Sequence, residues 1–457
     1  MIRLLFLLAV LLPAIARGQE KERIRIIKTD SLLGNTTPKG PLRRLIGRVE
    51  LQTEKAYIKC DSAWHYPELR RVEAYGSIVV KSSKEELYAQ QLVYDLKTES
   101  VTFSGPIEIR TKESRLFTTD GSYNLKAKTA RFVKQVYIRD KKGDVTANRG
   151  FFYTERDSMR LFDRVQLRDS TLYLEADSLI SGKKSGLTQA GGNVFIAHEK
   201  DRWSVRAGHF AGDTLGNRIF QQQVEYAKRD SASSDTTWMA AGWLHANEKE
   251  KQRTLSGKEN IRIWNPDYAA AADSIYHDET SGVFRLRKKP LLWTDNRQLT
   301  AANVDMNLEK STIKTLSAYP TPFMAEEDSI SHQFHQITGD SLFTQFLDGN
   351  PHRMEWINNI KVLYHNRADT TKEPGLLFMQ GTTLSILFEN KKATHMKGSS
   401  DVTGYFSEKP GDSAAMRLPG FSWDSERRPP KPAALPAFKW HPSKLDSLKN
   451  RFIKEAP

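Results

Sequence analysis

Four aspartates, Asp61, Asp177, Asp273 and Asp340, are the residues of this sequence most able to do chemistry. Brought together, their carboxylates could act as general acid and base or hold calcium. Their spacing argues against it. From Asp61 to Asp177 is 116 residues, four intervals of 29, and the positions between at that interval hold Gln90, Thr119 and Asn148. A position that takes Asp, Gln, Thr or Asn alike reads as a corner, where a short polar side chain completes local backbone hydrogen bonds. His332 and His335, in "HQFH", are the one close histidine pair, and no HExxH or cysteine-rich spacing accompanies them. Cys60 is the sole cysteine, which excludes an intramolecular disulfide. It shares its place in the interval with Ala89, Ala147 and Ala176, so it reads as a small packing residue rather than a nucleophile. The sequence has no P-loop, no G-x-G-x-x-G and no G-x-S-x-G.

The 29-residue interval itself is the stronger signal. Val49, Ile78, Ile107, Val136, Val165 and Val194 follow one another at that spacing, and so do Leu51, Val80, Ile109, Ile138, Leu167 and Ile196. A second slot runs Ile58, Leu87, Phe117 (one place late), Val145 and Leu174. A third runs Val72, Val101, Ala130 and Met159, with Ala74, Phe103, Phe132 and Leu161 two places on. Within each repeat apolar residues alternate, the mark of a strand with one buried face. Leu87 and Ala89 share one parity while Leu92 and Tyr94 share the other, so the chain must bend near Gln90 and Gln91. Each repeat is expected to hold about three short strands joined by a corner and two turns, its apolar side chains facing a common interior. After Val194 the spacing loosens but the slots persist at Val224, Ile261 and Leu291, with an insertion over 230–237.

The chain has 457 residues, 39% hydrophobic and 27% charged, with a formal net charge of +14. The start, "MIRLLFLLAVLLPAIARGQ", joins an early Arg3 to a short apolar run and small residues, which predicts a signal peptide over 1–18 and a soluble exported protein. No later run is long and apolar enough to span a membrane as a helix. A leader over 19–46 is expected to precede repeats over 47–320 and further repeats with loop insertions over 321–423. A Pro-rich basic tail follows over 424–457, carrying from Arg427 on eight Lys or Arg against two acidic residues, and an apolar helical stripe of Leu445, Leu448, Phe452 and Ile453. Nucleic acid is not expected as a partner, since no binding motif accompanies the charge.

The unit "LYLEADSLISGKKSGLTQAGGNVFI" (172–196), met again as "YAAAADSIYHDETSGVFRL" (268–286), resembles the OstA repeat of the LptA family of lipopolysaccharide-transport proteins. It is also similar to the periplasmic N-terminal domain of LptD, and the long array is similar to the OstA-like proteins of the Bacteroidetes group. The resemblance spans about Gly47 to Trp423. It implies an all-β fold, an elongated OstA/LptA-type β-jellyroll that shields the acyl chains of lipopolysaccharide, with no cofactor and no catalytic role. The acyl contacts would then be the interior slots Val49, Leu51, Val72, Ile78, Val80, Leu87, Val101, Phe103, Ile107, Ile109, Phe117, Phe132, Val136, Ile138, Leu161, Val165 and Leu167. Implied partners are lipopolysaccharide, an Lpt-type exporter, an outer-membrane barrel, and further copies stacked end to end; the exposed strand edges of an unclosed array, at Gly47–Tyr75 and near Asp401–Phe406, are expected to make the terminal contacts. A glycan-active enzyme on a β-solenoid and a surface adhesin are the rival readings; an enzyme would need charged side chains clustered in the groove.

Overall fold

The computed structural model describes residues 25–433, apart from 39, 53–55, 84, 142, 231–234, 250–251, 310–311, 367–374, 391 and 409–415. The expected signal peptide and the apolar stripe of the tail lie outside the described residues. The described chain is almost wholly strand, with a single turn of 3-10 helix at Ser425–Arg427. It divides into two compact units. Among the described residues, the first runs up to Asp201 with His209–Thr214; the second comprises Arg202–Gly208 and the described part of Leu215–Leu435.

In the first unit, alternation and turn chemistry together make a meander of antiparallel strands. Asp95 and Asn124 show how it turns: Asp95 Oδ1 accepts from the N–H groups of Lys97 and Thr98, and Asn124 Oδ1 from that of Ala127. The last residue of each such turn, Arg70, Glu99, Lys128 and Asp157, has φ near +50°. New strands then begin at Arg71, Ser100, Thr129, Ser158 and Thr188, each followed by one return strand.

The interval therefore holds two strands where three were expected. The corner does not end the strand; it is a bulge inside it. Tyr75 faces Gln91 and Ile78 faces Ala89, so Gly76 and Ser77 stand opposite Gln90 alone. Both extra residues have positive φ, +71° and +42°. Two residues against one set the four-residue step from Ala74 to Ile78 against the three-residue step from Leu92 to Ala89, so the parity reverses on the partner strand and all four stay buried while the strands bend. Gly76 is needed there twice over, for its φ and because a Cβ would collide with the Asp61 carboxylate. The two halves of the bent strands pack on each other: the space above Gly150 in one half is bounded by Val136 of the other. This is the antiparallel, all-β jellyroll layout the sequence predicts.

One expectation about the edge fails. Strand structure starts at Arg25, inside the stretch read as a leader, and Leu51 pairs with Ile26 on one side and Ile58 on the other. Arg25–Lys28 and Ser31–Thr37 cover the edge that Gly47–Gln52 was expected to expose. The bend between them repeats the bulge device, with Asp30 gripping Arg48 at 2.7 Å beside Gly47.

The second unit opens with long bent strands, Thr236–Lys249 and Gln252–Trp264, and then breaks them into separate halves. Ala269–Asp278 pairs with Val283–Arg287 through one half and with Leu291–Thr294 through the other. Long strands return at Asn350–Asn366 and Gly375–Glu389.

Candidate functional site

The candidate site of the first unit is its buried face. Cross-strand pairing joins Leu51, Ile58, Val80, Leu87, Ile109, Leu116, Ile138, Val145, Leu167, Leu174 and Ile196 into one uninterrupted aliphatic row. Beside it, large and small residues alternate: Val49 faces Cys60, Ile78 faces Ala89, Val136 faces Ala147 and Val165 faces Ala176. In the other half of the bent strands a row runs Ala74, Leu92, Phe103, Gly121, Phe132, Gly150, Leu161 and Leu179. Gly121 and Gly150 leave the space the rings fill; a Cβ on Gly121 would lie 2.7 Å from Phe132 Cδ1.

Of the seventeen predicted interior residues, all but Val72 are buried, from 0% exposure at Val49, Ile107, Leu161 and Val165 to 7% at Val101. Val72 is half-buried, opposite Tyr94 near the strand start. Phe117 is buried on the wrong face. It pairs with Glu108 and Tyr137, stacking on Tyr137 at 5.7 Å, while Leu116 takes the slot between Ile109 and Ile138. The strict interval, 58 to 87 to 116, points to Leu116; the greater bulk of Phe117 drew the reading one place too far.

The aspartates do not meet. Each sits singly at a bulge against a left-handed residue of the neighbouring strand. The Asp61 carboxylate packs on Gly76, Asp177 accepts from Asn193 Nδ2 at 2.9 Å, Asp273 pairs with Lys288 at 2.8 Å, and Asp340 accepts from Asn359 Nδ2 at 2.8 Å. The main chain closes the same corners: the Asp340 N–H donates to the carbonyls of Ile357 and Asn358, and that of Asn148 to Phe162 and Asp163. The corner reading of these positions matches this geometry. Among the described residues no three His, Cys, Asp or Glu side chains are grouped to hold a metal. Cys60 is buried, and burial with the nearby Asp61 pushes its thiol up to about 12.

The histidine pair separates. His332 is exposed beside Glu327 at 3.0 Å, while His335 turns inward and stacks on Tyr364 at 4.5 Å. Next to it lies a feature the sequence reading missed. Two buried glutamines of the second unit, Gln298 and Gln336, read the backbone of the segment Met416–Asp424. Gln336 Nε2 donates to the Met416 carbonyl at 3.3 Å and its Oε1 accepts from the Leu418 N–H at 2.8 Å. Gln298 does the same to the Ser422 carbonyl, 2.9 Å, and the Asp424 N–H, 2.8 Å. Leu418, Phe421 and Trp423 then pack on Phe323, Phe334, Leu363 and Leu376. Arg428 reaches the Asp295 carbonyl and Lys431 lies 5.8 Å from the Trp264 ring centre, so the start of the basic tail also lies along the sheet. Alternation with the inward Leu299 and Ile337 puts both glutamines on the outward face of their strands, so the sequence carried no local signal of their burial.

Residues 21–177 match the family model described as OstA-like protein. That match lies within the first unit. The OstA-like match ends inside the strand Leu172–Gly182. Among solved structures, the chain is similar to LptH from Pseudomonas aeruginosa, described as the LptA-homologous periplasmic component of a lipopolysaccharide transport device. The identity is 14%, over 30% of this chain and 82% of that one, with a TM-score of 0.17, too low to carry an argument about how the chains superpose. No curated protein matches the chain.

Proposed function

We propose that the protein is a periplasmic lipopolysaccharide-binding bridge or scaffold that covers lipid acyl chains on their way to the outer membrane. The observation that carries this reading is the aliphatic row from Leu51 to Ile196, unbroken across eleven residues of successive strands that the OstA-like match overlaps. Exposing an acyl chain to water costs about 0.8 kcal/mol per methylene, so a carrier needs continuous apolar surface rather than a reaction centre. Repetition of one slot supplies that surface. In the closed form the rows fill the interior themselves, so the two halves of the bent strands part to admit a chain. The charged clusters that a groove enzyme would need are not the residues that line these rows.

Partners are read from the ends. Exposed apolar residues, Leu32 and Leu33 in the first unit and Tyr405 and Phe406 in the second, lie on terminal strands that offer main-chain pairing to an Lpt-type exporter, a barrel protein or another copy. Photo-crosslinking tests the central claim. Probes at Phe103 and Phe132 should capture lipopolysaccharide in cells, and probes at the exposed Lys81 and Lys112 should not. Equal labelling of both sets would remove the interior from the mechanism.

A further inference from the structure

The strap Met416–Asp424 of the second unit closes beside a buried histidine, His365, whose neighbour is His335. His365 is 2% exposed, and its ring has no side-chain hydrogen-bond partner, the Phe334 backbone being the polar group that favours its proton. Its backbone N–H donates to His335 Nδ1 at 3.1 Å, and the two rings lie 5.9 Å apart. His365 pairs across the sheet with Leu376, whose side chain packs against Leu418 of the strap. Strap residue Arg417 lies 5.1 Å from the ring centre of Phe334 and 4.9 Å from that of Phe421. The charged neighbours of His365 are His335 and Arg417, which oppose a proton, and Asp328, which favours one. Those of His335 are Glu326 and Asp328, which favour a proton, and Arg297, which opposes it. A protonated His365 would be a buried cation with only the Phe334 backbone to favour its proton besides Asp328, set beside a second cation on the strap.

We propose that His365 and His335 form an acid-sensitive latch, holding the strap on the sheet while neutral and releasing it when protonated. Neither the OstA-like match nor the lipid reading bears on this inference, which rests on the strap geometry alone. Burial, reinforced by His335 and Arg417, pushes the His365 imidazole down to about 4 from its ordinary 6.5. Burial also lowers His335. The docked state therefore binds fewer protons than the released one. Docking is at full strength above the ordinary histidine value, weakens as the pH falls through the window from about 6.5 to about 4, and stops changing below it. If release restores the ordinary value, His365 alone weakens docking by about 300-fold across that window.

Trp423 reports the event, since its ring sits 5.0 Å from Phe334 when docked. Its emission is obtained in the full chain as the difference from Trp423→Phe and followed from about pH 7.5 to about pH 4 alongside the circular dichroism of the sheet. The expected result is a red shift of that component below about pH 6 with the sheet signal retained, and no shift in His365→Leu. Should His365→Leu lack sheet at neutral pH, His335→Gln takes its place. It keeps an acceptor for the His365 N–H but cannot titrate, and it must reduce the response. No shift down to about pH 4, a shift unchanged in the variant, or a shift only together with loss of sheet would each overturn the latch.

Discussion

The outward faces of the two units use the same strand geometry for opposite chemistry. In the first unit the outward positions after the bulge carry ion pairs flanked by rings: Lys59 with Glu50, Lys81 with Glu86, Arg110 with Glu108 and Arg139 with Asp144. Lys59 lies over Tyr57, Arg110 over Tyr88 and Arg139 over Tyr137. In the second unit a single outward row runs Trp264, Ala269, Trp293, Gln298, Ala325, Gln336, Leu363 and Phe378. Such a row would be an exposed apolar stripe without a cover, and Leu418, Phe421 and Trp423 provide one. Both faces of a strand can thus be apolar when another segment of the chain lies over one of them. The two glutamines are the complement of that arrangement, since a covering segment without strand partners must have its backbone groups satisfied by side chains.

The interior should behave alike in both units. Phe132→Ala in the first and Trp356→Ala in the second, both at most 2% exposed, should each cost about 3–5 kcal/mol in denaturant titrations. The outward faces should then part company. Leu363→Asp, at 0% exposure under the strap, should cost about 2–4 kcal/mol. Val79→Asp, between Lys59 and Tyr88 on the outward face of the first unit, should cost less than about 1 kcal/mol. Similar losses at the two sites would break the comparison.

Gln336→Leu leaves the buried Leu418 N–H unpaired, and a loss of about 1–3 kcal/mol should show as faster hydrogen exchange at Leu418 and faster tryptic cleavage after Arg417. At the bulges, Gly76→Ala should lower stability by about 1–2 kcal/mol, and Asp61→Ala in the same chain should recover part of it by removing the collision. The smallest effect belongs to Asp177→Asn, expected to change stability by less than about 0.5 kcal/mol and leave export intact. Loss of export with an unchanged circular dichroism spectrum would return a catalytic role to the corner.

The sequence alone determined the period, the buried slots and the bend, because one apolar face repeated every 29 residues admits only strands that keep a fixed register. Val49 to Val194 and Leu51 to Ile196 were legible because β-branched and aliphatic residues at constant spacing mark one strand face carried from repeat to repeat. Phe117 was misplaced because bulk was weighed above register, and pairing with Tyr137 settles it. What composition could not state is which strands continue through a bend and which break. The number of strands per repeat, two rather than three, is set by whether a bulge can satisfy its main chain in place, as Asn148 and Asp340 show. The covered edge at Arg25–Thr37 and the strap at Met416–Asp424 lay further still from any local signal. Each joins residues many positions apart, Gln298 to Asp424 among them, and only the folded chain brings such partners together.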